Sequence, residues 1–347
     1  MPFESVDSFL AELRRTKLLK APQLDEVERL IKPRFPAPLQ VAKELVRRGW
    51  LTVYQVNQLF QTNGQQLSLG PYHILDHLGK GGVSQVFKAW HAERNCFVAL
   101  KVIHPHLLSN AEAVARFQRE MNAVARLSHP NIVYSYPNDS LGEAHFFAME
   151  FVEGTPLDKL VPLSGALPVP QACDFLRQTA LGLQHAHEQG LVHRDIKPAN
   201  LVQINGTQLI KILDFGLTRL LSGGSSDKPT SITAEGALIG TADYVAPEQA
   251  RDARSVDIRA DIYSLGCTAY YLLTGAPPFP GGSLMQKIHH HISKEPTALS
   301  ILRPEVPSEL AEVVKKMMGK KVTDRYATPK DVADALQPFC EGSLAVK

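Results

Sequence analysis

A glycine-rich run and a lysine in an apolar segment give the first indication of chemistry in this sequence. The run Leu78-Gly79-Lys80-Gly81-Gly82-Val83-Ser84-Gln85-Val86 holds glycines that let backbone N–H groups approach phosphate oxygens closely. Lys101 ends the apolar segment Val98-Ala99-Leu100, where an ammonium group is costly to bury without a partner. Glu120 could supply the opposite charge, although alone it would be interpreted as a surface residue. Together these residues indicate a site for a phosphorylated ligand.

A second set of motifs is far more specific because it combines three segments in a fixed order. His193-Arg194-Asp195-Ile196-Lys197-Pro198-Ala199-Asn200 is followed by Asp214-Phe215-Gly216 and then by Ala246-Pro247-Glu248-Gln249. In these segments the sequence resembles the protein kinase family, and the resemblance covers residues 72–340. The glycine run departs from the family's G-x-G-x-x-G pattern only at Ser84, which is small. Gly81-Gly82-x-Ser84 and the last of the three segments look most like the bacterial serine/threonine kinases.

The resemblance implies a role for each polar residue of the second set of motifs. Asp195 would accept or orient the proton of the substrate hydroxyl, and Lys197 would neutralise the γ-phosphate as it leaves ATP. Asn200 and Asp214 would hold Mg²⁺ or Mn²⁺, since hard cations prefer oxygen ligands. The implied cofactors are therefore ATP and a divalent cation.

The resemblance also predicts the residues that bind the nucleotide. Lys101, oriented by Glu120, would hold the α- and β-phosphates. Backbone groups of Glu150 and Val152 would bind adenine. The other predicted contacts line the ring or the phosphates: Leu78, Gly79, Gly81, Gly82, Ser84, Val86, Ala99, Met149 and Leu201.

Three further features are predicted to be structural. Asp261 would brace the catalytic loop from a buried helix, and Glu248 would pair with Arg325 far along the chain. His289-His290-His291 resembles a metal-binding tract. Consecutive residues of a helix point in different directions, however, so we interpret these three histidines as a solvated surface.

The elements that must position these residues change along the chain. Residues 72–103 are predicted to form strands around a glycine turn, residues 112–127 a helix and residues 144–151 a buried strand. Helical patterns dominate from Pro170 onward. Strands followed by helices describe an α+β fold in two lobes, a small β-rich lobe and a large helical one.

Residues 5–62 carry four predicted helices that lie outside the resemblance. Glu12-Leu13 and Glu44-Leu45 lie 32 positions apart, as do Gln23-Leu24-Asp25 and Gln55-Val56-Asn57. This spacing indicates two copies of one helical hairpin.

We predict that residues 1–67 form a helical module before a catalytic domain at residues 72–340. The predicted inner faces include Leu30 in the second helix and Val53 in the fourth. Such apolar faces could pack on one another, which is the favoured interpretation, or could dock a substrate or a second copy of the protein.

Composition excludes several classes of partner. The formal net charge of +2 is too small to indicate nucleic acid binding by charge alone. No stretch approaches the apolar length of a membrane helix, and the four cysteines are scattered, as in cytoplasmic proteins. The resemblance to protein kinases implies that the expected partners are protein substrates.

The expected activity is transfer of the ATP γ-phosphate to serine or threonine of a protein. Lys197 and Thr241 favour serine/threonine over tyrosine, because tyrosine kinases usually carry a different catalytic-loop residue. Autophosphorylation is expected in the activation segment, at Thr230, Ser231 or Thr233. One alternative is a pseudokinase scaffold without catalysis, which the presence of all the catalytic residues opposes. The other is a kinase-fold enzyme that acts on small molecules, which Ala246-Pro247-Glu248 and Gly240-Thr241 oppose.

Overall fold

A computed structural model describes residues 3–62, 67–82, 84–108, 111–136, 146–215, 242–251 and 256–341. It divides the chain into two compact units. The first comprises Met1–His106 and Asn138–Phe151, and the second comprises Leu107–Pro137 and Val152–Lys347.

The first unit begins with the predicted N-terminal helices. They are α1 (Val6–Thr16), α2 (Ala21–Glu26), α3 (Pro38–Arg47) and α4 (Val53–Thr62). A π-helical turn at Val27–Ile31 and a 3₁₀ turn at Lys32–Arg34 extend α2. Their apolar faces enclose a small core in which Phe9, Leu13, Val41, Leu45 and Leu59 are fully buried.

Two residues predicted on the inner faces lie on the outside instead. Leu30 is 49% exposed and Val53 is 62% exposed. Leu30 lies within the π-helical turn, where the extra residue per turn shifts the helix face away from the 3.6-residue period. Val53 is the first residue of α4, so its side chain lies at the edge of the packed face.

The helix bounds and contacts follow the same 32-residue spacing as the sequence. α1 and α3 begin at Val6 and Pro38, and α2 and α4 begin at Ala21 and Val53. Glu12 accepts a hydrogen bond from Arg15 Nε at 2.9 Å, and Glu44 accepts the equivalent bond from Arg47 at 2.7 Å. The origin of this similarity by duplication stays a prediction.

An antiparallel sheet completes the first unit. Its strands lie in the order β1 (Ser68–Leu69), β2 (Tyr72–Lys80), β3 (Ser84–His91), β4 (Cys96–Ile103) and β5 (Phe146–Glu150). The strands β2 and β3 with the turn between them form the glycine-rich hairpin. On β2, Tyr72 and Ile74 are buried and alternate with less buried residues, as expected for a strand with one packed face, whereas Val98 to Lys101 of β4 are all buried.

The second unit is mainly helical. Its helices are α5 (Ala111–Val124), α6 (Leu157–Ser164), α7 (Val169–Glu188), α8 (Pro247–Arg251), α9 (Arg259–Thr274), α10 (Leu284–Ser293), α11 (Leu299–Leu302), α12 (Ser308–Met317) and α13 (Pro329–Leu336). A small antiparallel sheet orders β6 (Gly154–Pro156), β7 (Leu201–Ile204) and β8 (Ile210–Ile212). Short 3₁₀ turns lie at Pro105–Leu108, Pro198–Asn200, Val322–Asp324 and Gln337–Phe339. The sheet-rich first unit and helix-rich second unit agree with the predicted α+β class.

The interpretation of the three histidines as solvated surface is wrong for one of them. His289 is exposed and His290 is partly buried, but His291 is fully buried. Its Nδ1 lies 2.9 Å from the hydroxyl of Tyr263 on α9. The helix period explains the difference, because successive residues of α10 face in different directions and one of them faces α9.

The helices of the described ranges include none with the length and apolarity that a bilayer span requires.

Candidate active site

The catalytic loop brings three of the predicted residues into direct contact. Lys197 Nζ donates to Asp195 Oδ2 at 2.8 Å, and Asn200 Nδ2 donates to the same oxygen at 3.1 Å and to the Asp195 carbonyl at 2.7 Å. The side chains of Asp195 and Lys197 are 18% and 20% exposed. The carboxylate is therefore held firmly while remaining accessible to a substrate.

Asp261 holds this loop from the buried helix α9. It is fully buried, and its two oxygens accept the backbone N–H groups of His193 and Arg194, each at 2.7 Å. Burial raises the pKa of Asp261, while His193 and these backbone donors act in the opposite direction. The predicted bracing role of Asp261 is confirmed.

The backbone at Arg194 adopts a conformation that needs such support. Its φ of 67° lies in the left-handed region, which costs a non-glycine residue about 1–2 kcal/mol. The Arg194 N–H is held by Asp261, and its carbonyl accepts a hydrogen bond from Gln249 Nε2 at 2.8 Å. Gln249 also accepts the N–H of Ala246 at 3.1 Å. Gln249 ends the third motif segment, and nothing in its sequence position indicates this contact with Arg194.

His193 links the catalytic loop to the end of β8. Its Nε2 donates to the carbonyl of Leu213 at 2.7 Å, and its Nδ1 accepts the N–H of Asp195 at 3.2 Å. These roles require the neutral tautomer with the proton on Nε2. The ring of Phe215 packs edge-on against it, with centroids 4.6 Å apart. His193 therefore ties Asp195 to the segment that carries Asp214.

Asn200 and Asp214 lie on neighbouring segments of backbone. The N–H of Leu213 donates to the carbonyl of Asn200 at 2.9 Å, and Asp214 follows with a left-handed φ of 65°. Since the Asn200 amide nitrogen is committed to Asp195, its amide oxygen is the atom that can bind a cation. One amide oxygen and one carboxylate are hard donors that fit Mg²⁺ or Mn²⁺.

The glycine-rich hairpin of the first unit closes through a hydrogen bond from Gly81 N to Ser84 O at 2.8 Å. A Cβ added at Gly79 would meet no atom within 4 Å, and one added at Gly81 would meet only the Ser84 oxygen at 3.7 Å. Neither glycine has a positive φ. Internal packing and backbone conformation therefore do not require glycine here, and the missing side chains leave the backbone open to close approach.

Lys101 lies on β4 between two apolar strands. Its register partners are Val86 on β3 and Phe147 on β5, and the residue is only 7% exposed. Glu120 lies half-buried on α5 in the second unit. The Lys101–Glu120 pair therefore stays a prediction.

The other predicted nucleotide contacts divide between the units. In the first, Ala99 lies opposite Met149 in the sheet, and both are buried. Leu78, Gly79, Gly81, Gly82, Ser84, Val86 and Glu150 also belong to the first unit. In the second, Leu201 is fully buried at the start of β7, and Val152 is half-buried.

Several predicted residues lie outside the described ranges. They are Val83, Ala144, Gly216, Thr230, Ser231, Thr233 and Thr241.

The predicted pair of Glu248 and Arg325 is present. The two guanidinium nitrogens Nη1 and Nη2 of Arg325 donate to Glu248 Oε1 and Oε2 at 2.6 and 2.8 Å. A second ion pair was not foreseen: Lys287 Nζ on α10 lies 2.6 Å from Asp243 Oδ1, and both side chains are largely buried. No periodicity or motif marks these two residues as partners, since only the packing of α10 brings them together.

Comparison with known proteins agrees with this geometry. Residues 72–337 match the protein kinase domain. Serine/threonine-protein kinase PknB of Mycobacterium leprae is 37% identical over 265 residues, which are 75% of this chain and 42% of that protein. Serine/threonine-protein kinase Pkn1 of Myxococcus xanthus is 38% identical over 273 residues, 77% of this chain and 38% of that protein. The chain thus spans about two fifths of the length of these relatives.

Solved structures give the same result. The kinase domain of PknI from Mycobacterium tuberculosis matches with a TM-score of 0.61 and 29% identity, over 78% of this chain and 97% of that structure. Rad53 1-466 in complex with AMP-PNP matches with a TM-score of 0.62 and 25% identity, over 78% of this chain and 66% of that structure. With the matched domain and the braced catalytic loop, these similarities establish that the chain belongs to the protein kinase family, among the bacterial-type serine/threonine kinases.

Proposed function

We propose that this chain transfers the γ-phosphoryl group of ATP to serine or threonine hydroxyls of protein substrates. The observation that carries the proposal is the contact of Lys197 and Asn200 with the Asp195 carboxylate, within a loop held by the buried Asp261. Phosphoryl transfer needs positioning and charge neutralisation more than covalent catalysis, and this arrangement supplies both.

Asp195 is suited to orient the substrate. Its Oδ2 is fixed by Lys197 and Asn200, so its position does not depend on the substrate. A serine or threonine hydroxyl that donates to this carboxylate would have its oxygen directed at the phosphoryl group. Lys197 Nζ lies 2.8 Å from the Asp195 carboxylate. From there its ammonium group would neutralise negative charge on the phosphoryl group during transfer.

Asn200 and Asp214 are the proposed ligands of the divalent cation, with ATP as the phosphoryl donor. A magnesium ion held there would neutralise charge on the phosphates. Lys101 and the N–H groups of the glycine-rich hairpin would hold the remaining phosphate oxygens. We extend the proposal to autophosphorylation at Thr230, Ser231 or Thr233.

Substitution of two residues tests this function. Asp195→Asn and Lys101→Ala should each lower transfer of labelled phosphate to a peptide by on the order of 10²-fold or more. Thermal unfolding should remain cooperative in both variants. Asp25→Asn, which changes an exposed carboxylate of the N-terminal helices, is the control and should transfer phosphate at the wild-type rate.

Two results would contradict the proposal. Near-normal transfer by a folded Asp195→Asn variant would exclude the assigned role of that residue. Nucleotide binding without any transfer by the wild-type chain, with magnesium and with manganese, would favour the scaffold alternative.

A further inference from the structure

The start of helix α4 is hydrogen-bonded to the glycine-rich hairpin. Thr52 Oγ1 donates to the carbonyl of Leu75 at 2.5 Å, and Gln55 Nε2 donates to the carbonyl of Ile74 at 2.8 Å. Both carbonyls belong to β2, and Gln55 is only 3% exposed. The N-terminal helices are thus joined to the strand that leads into the glycine run.

These hydrogen bonds lie at an irregularity in the hairpin. The register of β2 and β3 shifts between Ile74 and Asp76, and again between His77 and Gly79. A bulge of this kind interrupts the ladder and bends the strand. Thr52 and Gln55 therefore donate to β2 at the point where its pairing with β3 is interrupted. Hydrogen bonds from outside the sheet can hold the path of β2 at such an interruption.

A third contact reaches the other strand of the hairpin. The ring of Tyr54 lies against that of Phe87 on β3, with centroids 6.4 Å apart, and Phe87 also contacts His77 at 5.2 Å. Phe87 is adjacent to Val86, one of the predicted nucleotide contacts. One helical turn, residues 52–55, therefore contacts both strands of the hairpin.

Residues 20–23, at the start of α2, lie 32 positions before residues 52–55 and form the corresponding helical turn. They show that a helix can begin in this way without hydrogen bonds from its first turn to the sheet. Gln23 Oε1 accepts the N–H of Lys20 at 2.9 Å, as Gln55 Oε1 accepts the N–H of Thr52 at 2.9 Å. Within the described residues, no hydrogen bond joins the amide nitrogen of Gln23 to the sheet. Of these two turns, only the one at the start of α4 is hydrogen-bonded to β2.

We propose that Thr52, Tyr54 and Gln55 are positioning residues for the glycine-rich hairpin, and that through them the N-terminal helices set the affinity for ATP. This inference rests on the proposed function, in which the hairpin binds the phosphates. A hairpin that spends less time in its binding conformation binds ATP more weakly in proportion to that lost population. The three residues contact the hairpin and are not among the predicted ATP contacts, so their expected effect is on the hairpin's binding of ATP and not on the chemical step.

Gln55→Ala compared with Gln23→Ala is the matched test in the full chain. Both variants lose the capping bond of a helix, but only Gln55→Ala also loses a hydrogen bond to the sheet. Loss of one buried hydrogen bond predicts roughly three- to tenfold weaker ATP binding for Gln55→Ala. The KM for ATP should rise by the same factor, while kcat and the KM for a peptide should change less than about twofold.

Amide hydrogen exchange provides a readout that does not depend on activity. Exchange across residues 74–87 should become faster in Gln55→Ala and stay at the wild-type rate in Gln23→Ala. Thr52→Ser retains the hydroxyl and should behave as the wild type. Thr52→Val, which is isosteric but lacks the donor, should reproduce the Gln55→Ala result and serves as the second variant if that one does not fold.

Two outcomes would overturn the inference. Unchanged ATP affinity and unchanged exchange in both Gln55→Ala and Thr52→Val would show that the contact positions nothing. Equal weakening in Gln55→Ala and Gln23→Ala would show that the helices act only through general stability. Absence of phosphate transfer by the wild type would instead contradict the proposed function, and the binding and exchange measurements would still decide this inference.

Discussion

At the scale of single residues, three buried polar side chains of the second unit hold the catalytic loop in its path. His193, Asn200 and Asp261 are buried, and each forms hydrogen bonds with the catalytic loop or its neighbours. Burying a polar group is costly unless it is hydrogen-bonded. Here these hydrogen bonds fix the loop that carries Asp195, so the same contacts serve stability and site geometry.

His291 is a buried polar residue of a different kind, because it lies outside the catalytic loop. Burial lowers its pKa from 6.5 to about 3, and Lys320, His290 and Lys287 act in the same direction, whereas the nearby backbone of Asp243 acts in the opposite one. The folded protein therefore favours the neutral ring. Below pH 6.5, the ordinary pKa, the unfolded chain binds a proton at this histidine and the folded chain does not. The free energy of unfolding is therefore unaffected by this group above pH 6.5 and falls as the pH is lowered toward 3.

We expect His291→Gln to flatten this acid dependence. Each pH unit below the ordinary pKa should cost the wild type about 1.4 kcal/mol until the folded-state pKa is reached. Urea unfolding at several pH values between 6.5 and 3 would measure the slope. His289→Gln, on the exposed side of the same helix, is the control and should retain the wild-type slope. Identical slopes for wild type and His291→Gln would contradict the assignment.

At the scale of elements, α9 organises the second unit. Nearly all its residues are buried, as expected for a helix surrounded by others. It carries Asp261 to the catalytic loop and Tyr263 to α10. A Cβ at Gly266 would lie 2.8 Å from Met318 Cγ and 2.9 Å from Met317 Cβ, so close packing against α12 and the residue after it requires glycine there.

The ion pair of Glu248 and Arg325 joins α8 to the segment that follows α12. Arg325 also donates to the carbonyls of Gly319 at 2.7 Å and Arg259 at 2.8 Å, and its guanidinium lies 4.8 Å from the ring centroid of Tyr263. Its side chain is fully buried. Removal of one partner would therefore leave a desolvated charge.

We expect Glu248→Gln or Arg325→Met alone to destabilise the chain by about 3–5 kcal/mol. The double variant should lose less than the sum of the two, because no isolated charge remains buried. Urea denaturation of the four proteins in this cycle measures the coupling. Additive losses would show that the two side chains do not stabilise each other.

At the scale of the whole molecule, the N-terminal helices and the sheet form one compact unit. Besides the bonds from α4 to β2, Ser68 on β1 donates to the carbonyl of Thr16 at 2.8 Å, and the N–H of Ile74 donates to Leu67 O at 2.9 Å. The apolar faces of these helices pack on one another, and α4 also contacts β2. The docking role for these helices stays a prediction.

We expect deletion of residues 1–66 to impair the enzyme on every substrate. The deletion removes the donors to Ile74 and Leu75 and exposes the face of β2 that α4 covers, so the midpoint of thermal unfolding should fall by several degrees. Phosphate transfer to a generic peptide and to a protein substrate should fall by the same factor. Loss on the protein substrate alone would instead show that the helices form a docking surface.

Sequence by itself determined the chemistry and the class of fold. The motifs that hold Lys101, Asp195, Asn200 and Asp214 resemble those of the protein kinase family, and that resemblance implied phosphoryl transfer. Periodicity located the N-terminal helices, α5 and the strands β3 to β5 to within a few residues, because local hydrogen bonding and burial of one face set each element. The 32-residue spacing of the N-terminal helices was also visible in the sequence.

The resemblance to the family predicted the Glu248–Arg325 pair and the bracing by Asp261, but only the tertiary structure decided the other contacts between distant side chains. Periodicity placed Leu30 inside and three histidines outside, but a π-helical turn exposes Leu30 and the packing of α10 on α9 buries His291. The bonds of Gln55 to β2 and of Gln249 to the Arg194 carbonyl join residues distant in sequence or lacking any motif. The pattern of apolar and polar residues indicates whether a side chain should be buried or exposed. Which distant side chain it contacts depends on how the helices and strands pack together.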